Sequence, residues 1–306
     1  IVWNYGFLTD EQSKLYTFHI LNDLPIPNIL QAKVTAAVNS SHQFILKNEP
    51  NYMLSLRDIA HFKRFFAWFH SNAASLCPCA EKNKLMYTTV FALYMCYYIK
   101  ISTNQKRQEY LSIINQVLQN GQNAFEKMSN DIKMNFVNHL KIEPHYALNT
   151  ALVENLFCLM TCILSKMPLF ICGKPGSSKT LSTQIIQQNF LGITSHNKFL
   201  RAQPKIMPLY YQGSKSSTSE GIQRMFNRAY EIVQNSSSED LLPLVIFDEI
   251  GLAEDSIHNP LKILHSLLDY GLDNICFVGI SNWELDPSKM SRFIYLCRPD
   301  LGLEDL

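Results

Sequence analysis

The sequence predicts an α/β protein, a parallel sheet flanked by helices, preceded by an all-helical half. Three observations predict it. Residues 169–172, 244–247 and 275–280 are unbroken apolar runs, as expected of strands buried on both faces. Segments with apolar positions at helical spacing separate them, and strands alternating with helices imply a parallel sheet. The runs end in residues that handle phosphate and metal, and open α/β sheets bind ligands at the carboxyl ends of their strands.

Taken in order, residues 1–75 read as largely helical, with apolar positions at helical spacing over 31–38 and 56–69. Pro25-Ile26-Pro27 breaks the chain before them. A loop is expected over 75–83, then a helical pair over 84–101 and 108–118 with a polar turn between. Asn120-Gly121 suits the end of the second helix, since glycine favours helix termini. Residues 85–99 are uncharged and apolar, yet shorter than the roughly twenty residues that span a bilayer. A buried bundle helix is favoured over an interfacial membrane helix, and no transmembrane segment is expected.

From Pro144 onward the pattern changes. Residues 148–166 form one amphipathic helix leading into the strand at 169–172. A helix over 180–190, a strand over 208–212 and a helix over 219–233 follow. The polar segment 214–218 lines a pore or is an ordinary surface loop, and 235–238 is a short polar loop. A helix over 259–268 precedes the strand at 275–280, and a last strand covers 293–297.

The chemistry concentrates at the strand ends. After the first strand come Gly173, Lys174, Pro175, Gly176, Ser177, Ser178, Lys179 and Thr180, the plan of a phosphate-binding loop. Backbone N–H groups surround the phosphates, Lys179 reaches the terminal ones, and the Thr180 hydroxyl meets a magnesium ion. Ser178 departs from the pattern, where a second glycine is usual. The run 244–249 ends in Asp248 and Glu249. Asp248 suits a hard cation, and Glu249 suits orienting and deprotonating a water. Lysine-threonine loop and acidic strand end, in this order, point together to nucleotide binding with ATP and Mg2+ as cofactors.

The strand at 275–280 leads to Ser281-Asn282, where Asn282 can hold the same water as Glu249 or simply cap a turn. Arg292 has two readings of equal weight. Its guanidinium could reach a neighbouring module's terminal phosphate, or it is an ordinary surface arginine.

Composition bounds the rest. With 27 basic and 26 acidic residues, nothing pulls the chain toward nucleic acid or anionic membranes. A hydrophobic share of 47% marks it as globular. Several of the eight cysteines fall in core elements, which suits a reducing compartment. Cys77-Pro78-Cys79 lacks a second ligand pair at zinc spacing, so no metal is expected there. The chain opens at Ile1 without methionine and stops soon after its last strand, so a piece of a larger protein is expected.

These motifs resemble the AAA+ ATPases. Within them, GKPGSSKTL (173–181), FDEIGLA (247–253), PLKILHSLL (260–268) and GISNW (279–283) are similar to the mysterin-type giant ubiquitin ligases. The resemblance implies a P-loop NTPase AAA+ core over 141–306, lacking its own lid. It also implies that 1–75 is the helical lid of a preceding module, because Ser55, Arg57 and Asp58 resemble that lid's helix start. Arg57 would then touch the preceding module's nucleotide; the alternative is a capped helix with an exposed Arg57–Asp58 charge pair. Residues 76–140 would be a helical linker bundle, a spacer between modules.

The resemblance further implies Mg-dependent ATP hydrolysis within a ring of modules on one polypeptide. The ubiquitin machinery would be engaged elsewhere in the parent protein, in the cytosol with lipid droplets as a second location. Serine at 178 is part of this family's own loop. Two alternatives stand beside this: a structural module that holds ATP without hydrolysis, and a module of a dynein- or midasin-like motor.

Overall fold

The structure, a computed structural model, describes residues 9–119, 121, 123–235, 241–269, 272 and 274–299. Among the described residues six α-helices come first: α1 (Asp10–Leu21), α2 (Asn28–Asn48), α3 (Leu56–Leu76), α4 (Lys84–Cys96), α5 (Asn104–Leu118) and α6 (Ala124–Val137). Then follow α7 (Thr150–Ser165), β1 (Leu169–Cys172), α8 (Lys179–Asn189), α9 (Lys198–Arg201), β2 (Lys205–Gln212), α10 (Ser219–Asn235) and β3 (Leu241–Asp248). The last described elements are α11 (Ile250–Glu254), α12 (Ile263–Asp269), β4 (Cys276–Ser281), α13 (Pro287–Met290) and β5 (Ile294–Cys297).

The sheet is the predicted parallel one, in the order β2-β3-β4-β1-β5. Its middle strands β1 and β4 are buried at every position, which explains their unbroken apolar sequence. β3 lies between β2 and β4, so the acidic strand end is interior to the sheet. β2 starts at Lys205, earlier than expected from the sequence, and continues through Pro208. It is an edge strand, where a residue without an N–H is tolerated.

The helical half differs more from expectation. α3 carries its buried stripe on through Phe69, Ala73 and Leu76, and a 3-10 turn at Pro78–Asn83 occupies the expected loop. The helix expected over 84–101 ends at Cys96, and the 3-10 turn Tyr98–Lys100 follows. That turn brings Lys100 inward to pair with the fully buried Asp58. α5 starts at Asn104 because Thr103 caps it, its hydroxyl accepting from the Lys106 N–H at 3.3 Å. Gln119 ends α5 in the left-handed region; Asn120 and most of 235–238 lie outside the described residues. α6 was not foreseen, although Phe125, Ile132 and Phe136 give it a buried helical stripe.

One apolar core runs through both halves. Phe91 of α4 meets Phe69 of α3 at 4.3 Å, Phe136 of α6 at 6.4 Å and Phe157 of α7 at 6.1 Å. Tyr52, between α2 and α3, stacks on Tyr295 of β5 at 5.6 Å. α4 is the buried bundle helix expected from its apolar run, and no described helix is long and apolar enough to cross a membrane. Among the described residues no group of three or more His, Cys, Asp or Glu could hold a metal ion.

Candidate nucleotide-binding site

The loop between β1 and α8 wraps one side of a cavity of about 390 Å3. Pro175, Gly176, Ser177, Ser178, Lys179 and Thr180 line it, together with Asp248, Glu249 and Asn282 from the ends of β3 and β4. Groups predicted from three separate motifs therefore share one space: the lysine and threonine of the loop, the acidic pair, and the asparagine. α8 begins at Lys179, so the positive end of its dipole and its unpaired N–H groups face this cavity.

The loop backbone is held tightly. Gly173 donates its N–H to the Ser281 carbonyl at 3.2 Å, and a Cβ there would lie 2.7 Å from the Arg298 Cβ. Ser178, at the position where the pattern has glycine, adopts φ 58. A left-handed residue other than glycine costs about 1–2 kcal/mol, so the conformation glycine would supply is kept and serine bears the strain.

Lys179 is buried, and its ammonium donates to the Gly173 carbonyl at 2.5 Å, the Lys174 carbonyl at 3.0 Å and Asn282 Oδ1 at 3.1 Å. Burial pulls its pKa below the usual lysine range, while Cys172, Glu249 and Asp248 oppose that pull. Asn282 Nδ2 in turn donates to both Glu249 oxygens, at 3.0 and 3.2 Å. One amide thus joins the phosphate-loop lysine to the acidic strand end. Its side chain is committed to this bridge, while the turn before Trp283 is fixed by Ser281, whose hydroxyl accepts the Trp283 N–H at 3.2 Å.

The acidic pair is set by a local contact. Asp248 Oδ1 accepts the Glu249 N–H at 2.9 Å, and Glu249 sits at φ 50. Gly213 donates its N–H to the Asp248 carbonyl at 2.8 Å, and a Cβ there would lie 2.1 Å from the Glu249 carbonyl oxygen. Only glycine permits that approach.

Arg292 does not line this cavity. It donates to Asp269 Oδ2 at 3.2 Å and to the Ser288 carbonyl at 2.8 Å. The other Asp269 oxygen pairs with Arg57 at 3.2 Å, and Arg57 also reaches Ser291 Oγ at 3.4 Å. The alternative of an exposed Arg57–Asp58 pair is therefore corrected. Asp58 closes a capping box with Ser55 and is buried against Lys100 and Tyr52. Burial pushes the Asp58 carboxyl up, but Lys100, His61 and the Ser55 N–H outweigh it and leave it below the usual carboxylate range.

Sequence reasoning missed the layer beneath the loop. Asn155 of α7 donates to the Ser177 carbonyl at 2.8 Å, and Glu154 holds Arg107 and Arg298. The signal was present: an acid and an amide stand side by side in the middle of a largely apolar helix.

Comparison with known proteins agrees with this architecture. A family model described as "RNF213 AAA domain" matches residues 145–305. The E3 ubiquitin-protein ligase RNF213 of Homo sapiens is 30% identical over 328 residues, covering 97% of this chain and 6% of the relative. The Mus musculus protein of that name gives the same identity and coverage. The E3 ubiquitin-protein ligase rnf213-beta of Danio rerio is 30% identical over 330 residues, covering 100% of this chain and 6% of the relative. The chain thus spans a small fraction of the length of the curated relatives it matches.

Proposed function

This chain belongs to the RNF213 AAA domain family, and we propose that it binds ATP with Mg2+ in the cavity beside Lys179 and hydrolyses it there. The observation that carries this is the Asn282 bridge, which joins Lys179 to Glu249 within one cavity. Gly173, Pro175, Gly176, Ser177 and Ser178 supply the loop around the phosphates, and Lys179 offsets their charge.

Thr180 and Asp248 both line the cavity, a hydroxyl and a carboxylate, and hard oxygen donors fit a magnesium ion. The ion, when bound, neutralises charge on the phosphate oxygens. Glu249 acts as the base toward water, and Asn282 fixes the carboxylate that does so. Arg292 serves a nucleotide held by an adjoining module of the same polypeptide, and Arg57, on the same Asp269, serves that same site. Residues 1–75 are then the lid of the preceding module and 76–140 a helical linker.

The curated relatives are named as E3 ubiquitin-protein ligases. We assign ubiquitin transfer to the rest of such a parent protein, with this module supplying nucleotide-driven movement in the cytosol. Family membership disfavours the dynein- and midasin-like alternative.

Replacing Glu249 by Gln tests the hydrolytic role. Phosphate release attributable to this module should fall about 100-fold or more, with nucleotide still bound. Unchanged release would leave a holding role without turnover, the reading that the strained Ser178 favours.

A further inference from the structure

The phosphate loop rests on a buried polar pair that no motif contains. Asn155 is fully buried, and its Nδ2 donates to the Ser177 carbonyl at 2.8 Å. Its Oδ1 is also buried and has no partner. A buried amide oxygen without a donor costs roughly 1–3 kcal/mol. For stability alone, leucine would be better in this apolar helix, since it removes that cost and forms helix more readily. The one thing Asn155 provides is the grip on the loop.

Glu154, the preceding residue, is 2% exposed and anchors the same turn of α7 from the other side. Its carboxylate accepts from Arg107 of α5 at 3.2 Å, from Tyr94 of α4 and from Arg298 just after β5. Arg107 also donates to the Cys297 carbonyl at 3.2 Å, and the Arg298 N–H donates to the Cys172 carbonyl at 2.8 Å. Arg298 packs against Gly173, where the loop begins. Both ends of the loop, Gly173 and Ser177, are thus tied to neighbouring residues of one helix. That helix turn is in turn tied to the helical half through Arg107 and Tyr94.

We propose that Asn155 is a positioning residue for the phosphate loop, held in place by the Glu154–Arg107–Arg298 cluster that joins the loop to α4 and α5. It touches no reacting atom. It fixes the carbonyl of Ser177 and so keeps the neighbouring N–H groups turned toward the cavity. A shift of α4 and α5 relative to the sheet would reach the phosphates by this route. The proposal deepens the nucleotide-binding reading and rests on it for its effect on affinity, but its effect on the loop itself is independent of nucleotide.

The test is amide hydrogen exchange on the full-length protein carrying Asn155→Leu or, should leucine not fit, Asn155→Ala. Thr161→Val is the control, since Thr161 is buried on the same helix with an unpartnered hydroxyl. Without nucleotide, peptides covering 174–179 should exchange about tenfold faster in either Asn155 variant and at the parent rate in Thr161→Val. The MgATP concentration that half-protects this loop should rise about tenfold. The thermal midpoint of Asn155→Leu should not fall. Parent-like loop exchange in both Asn155 variants, or equal loosening in Thr161→Val, overturns the proposal. Failure of MgATP to protect the loop in the parent counts instead against nucleotide binding, and the nucleotide-free exchange still decides the role of Asn155.

Discussion

The cluster around Lys179 and the cluster around Asp269 both gather charged side chains, but they are built in different ways. Lys179, Asp248, Glu249 and Asn282 stand at or just beyond the ends of β1, β3 and β4, which lie in register in one parallel sheet. Parallel strands bring their carboxyl ends to one edge, so motif order along the chain becomes proximity in space. Asp269 instead draws Arg57 from the helical half and Arg292 from beyond β4. Lys179 is buried; Arg57 and Asp269 are more than a third exposed, at 37% and 39%. An ion pair that exposed contributes roughly 0–1 kcal/mol, so it can be exchanged for another anion at little cost. Lys179 is held by several contacts in one geometry, whereas the Arg57–Asp269 pair can change partners at little cost.

The comparison is broken most severely by removing a charge from the strand-end cluster. Asp248→Ala should lower MgATP turnover at this module by on the order of 100-fold, read as phosphate release. A loss no larger than that of Asp269→Asn would erase the distinction.

Acid should separate the halves next. Burial pulls the pKa of His42 and of His61, both in the helical half, down to about 4, against the raising effect of Asp58. The unfolded chain therefore takes up these protons first, near 6.5. The stability they confer is complete above that pH and is lost as pH falls toward 4. His42, 9% exposed, accounts for a loss of about 3 kcal/mol in that window. Chemical denaturation of parent and His42→Gln across pH 4–7 checks this, and the variant should show a flatter profile.

Arg292→Ala probes the cluster around Asp269. It should slow phosphate release by the intact protein at least about tenfold while leaving MgATP protection of the loop at 174–181 unchanged. Lost protection there would place Arg292 in the wrong site. The smallest effect is expected at Ser178→Gly. Relief of the left-handed backbone should raise stability by about 1 kcal/mol, partly offset by the greater freedom of glycine in the unfolded chain. Calorimetric melting reads the difference.

The same contrast explains what the sequence made legible. Strand identity, parallel pairing and the convergence of Lys179, Asp248, Glu249 and Asn282 followed from apolar runs with polar ends. The Arg57–Asp269–Arg292 set did not, because residues 57 and 291 meet only after two halves of the chain pack. The capping role of Asp58 is legible from Ser55 three residues earlier, but its burial is not, for the same reason. Its partner Lys100 lies on a turn that the sequence read as helix. Asn155 escapes the sequence reading because a polar side chain in a largely apolar helix announces burial without naming what it holds.

The central claim is that a magnesium nucleotide sits on the loop that Lys179 closes. Its most direct test is hydrogen exchange of residues 174–181 with and without MgATP, in the parent and in Lys179→Ala. MgATP should slow exchange of this segment at least about tenfold in the parent and leave the variant unchanged. Equal protection in both, or none in the parent, would contradict it.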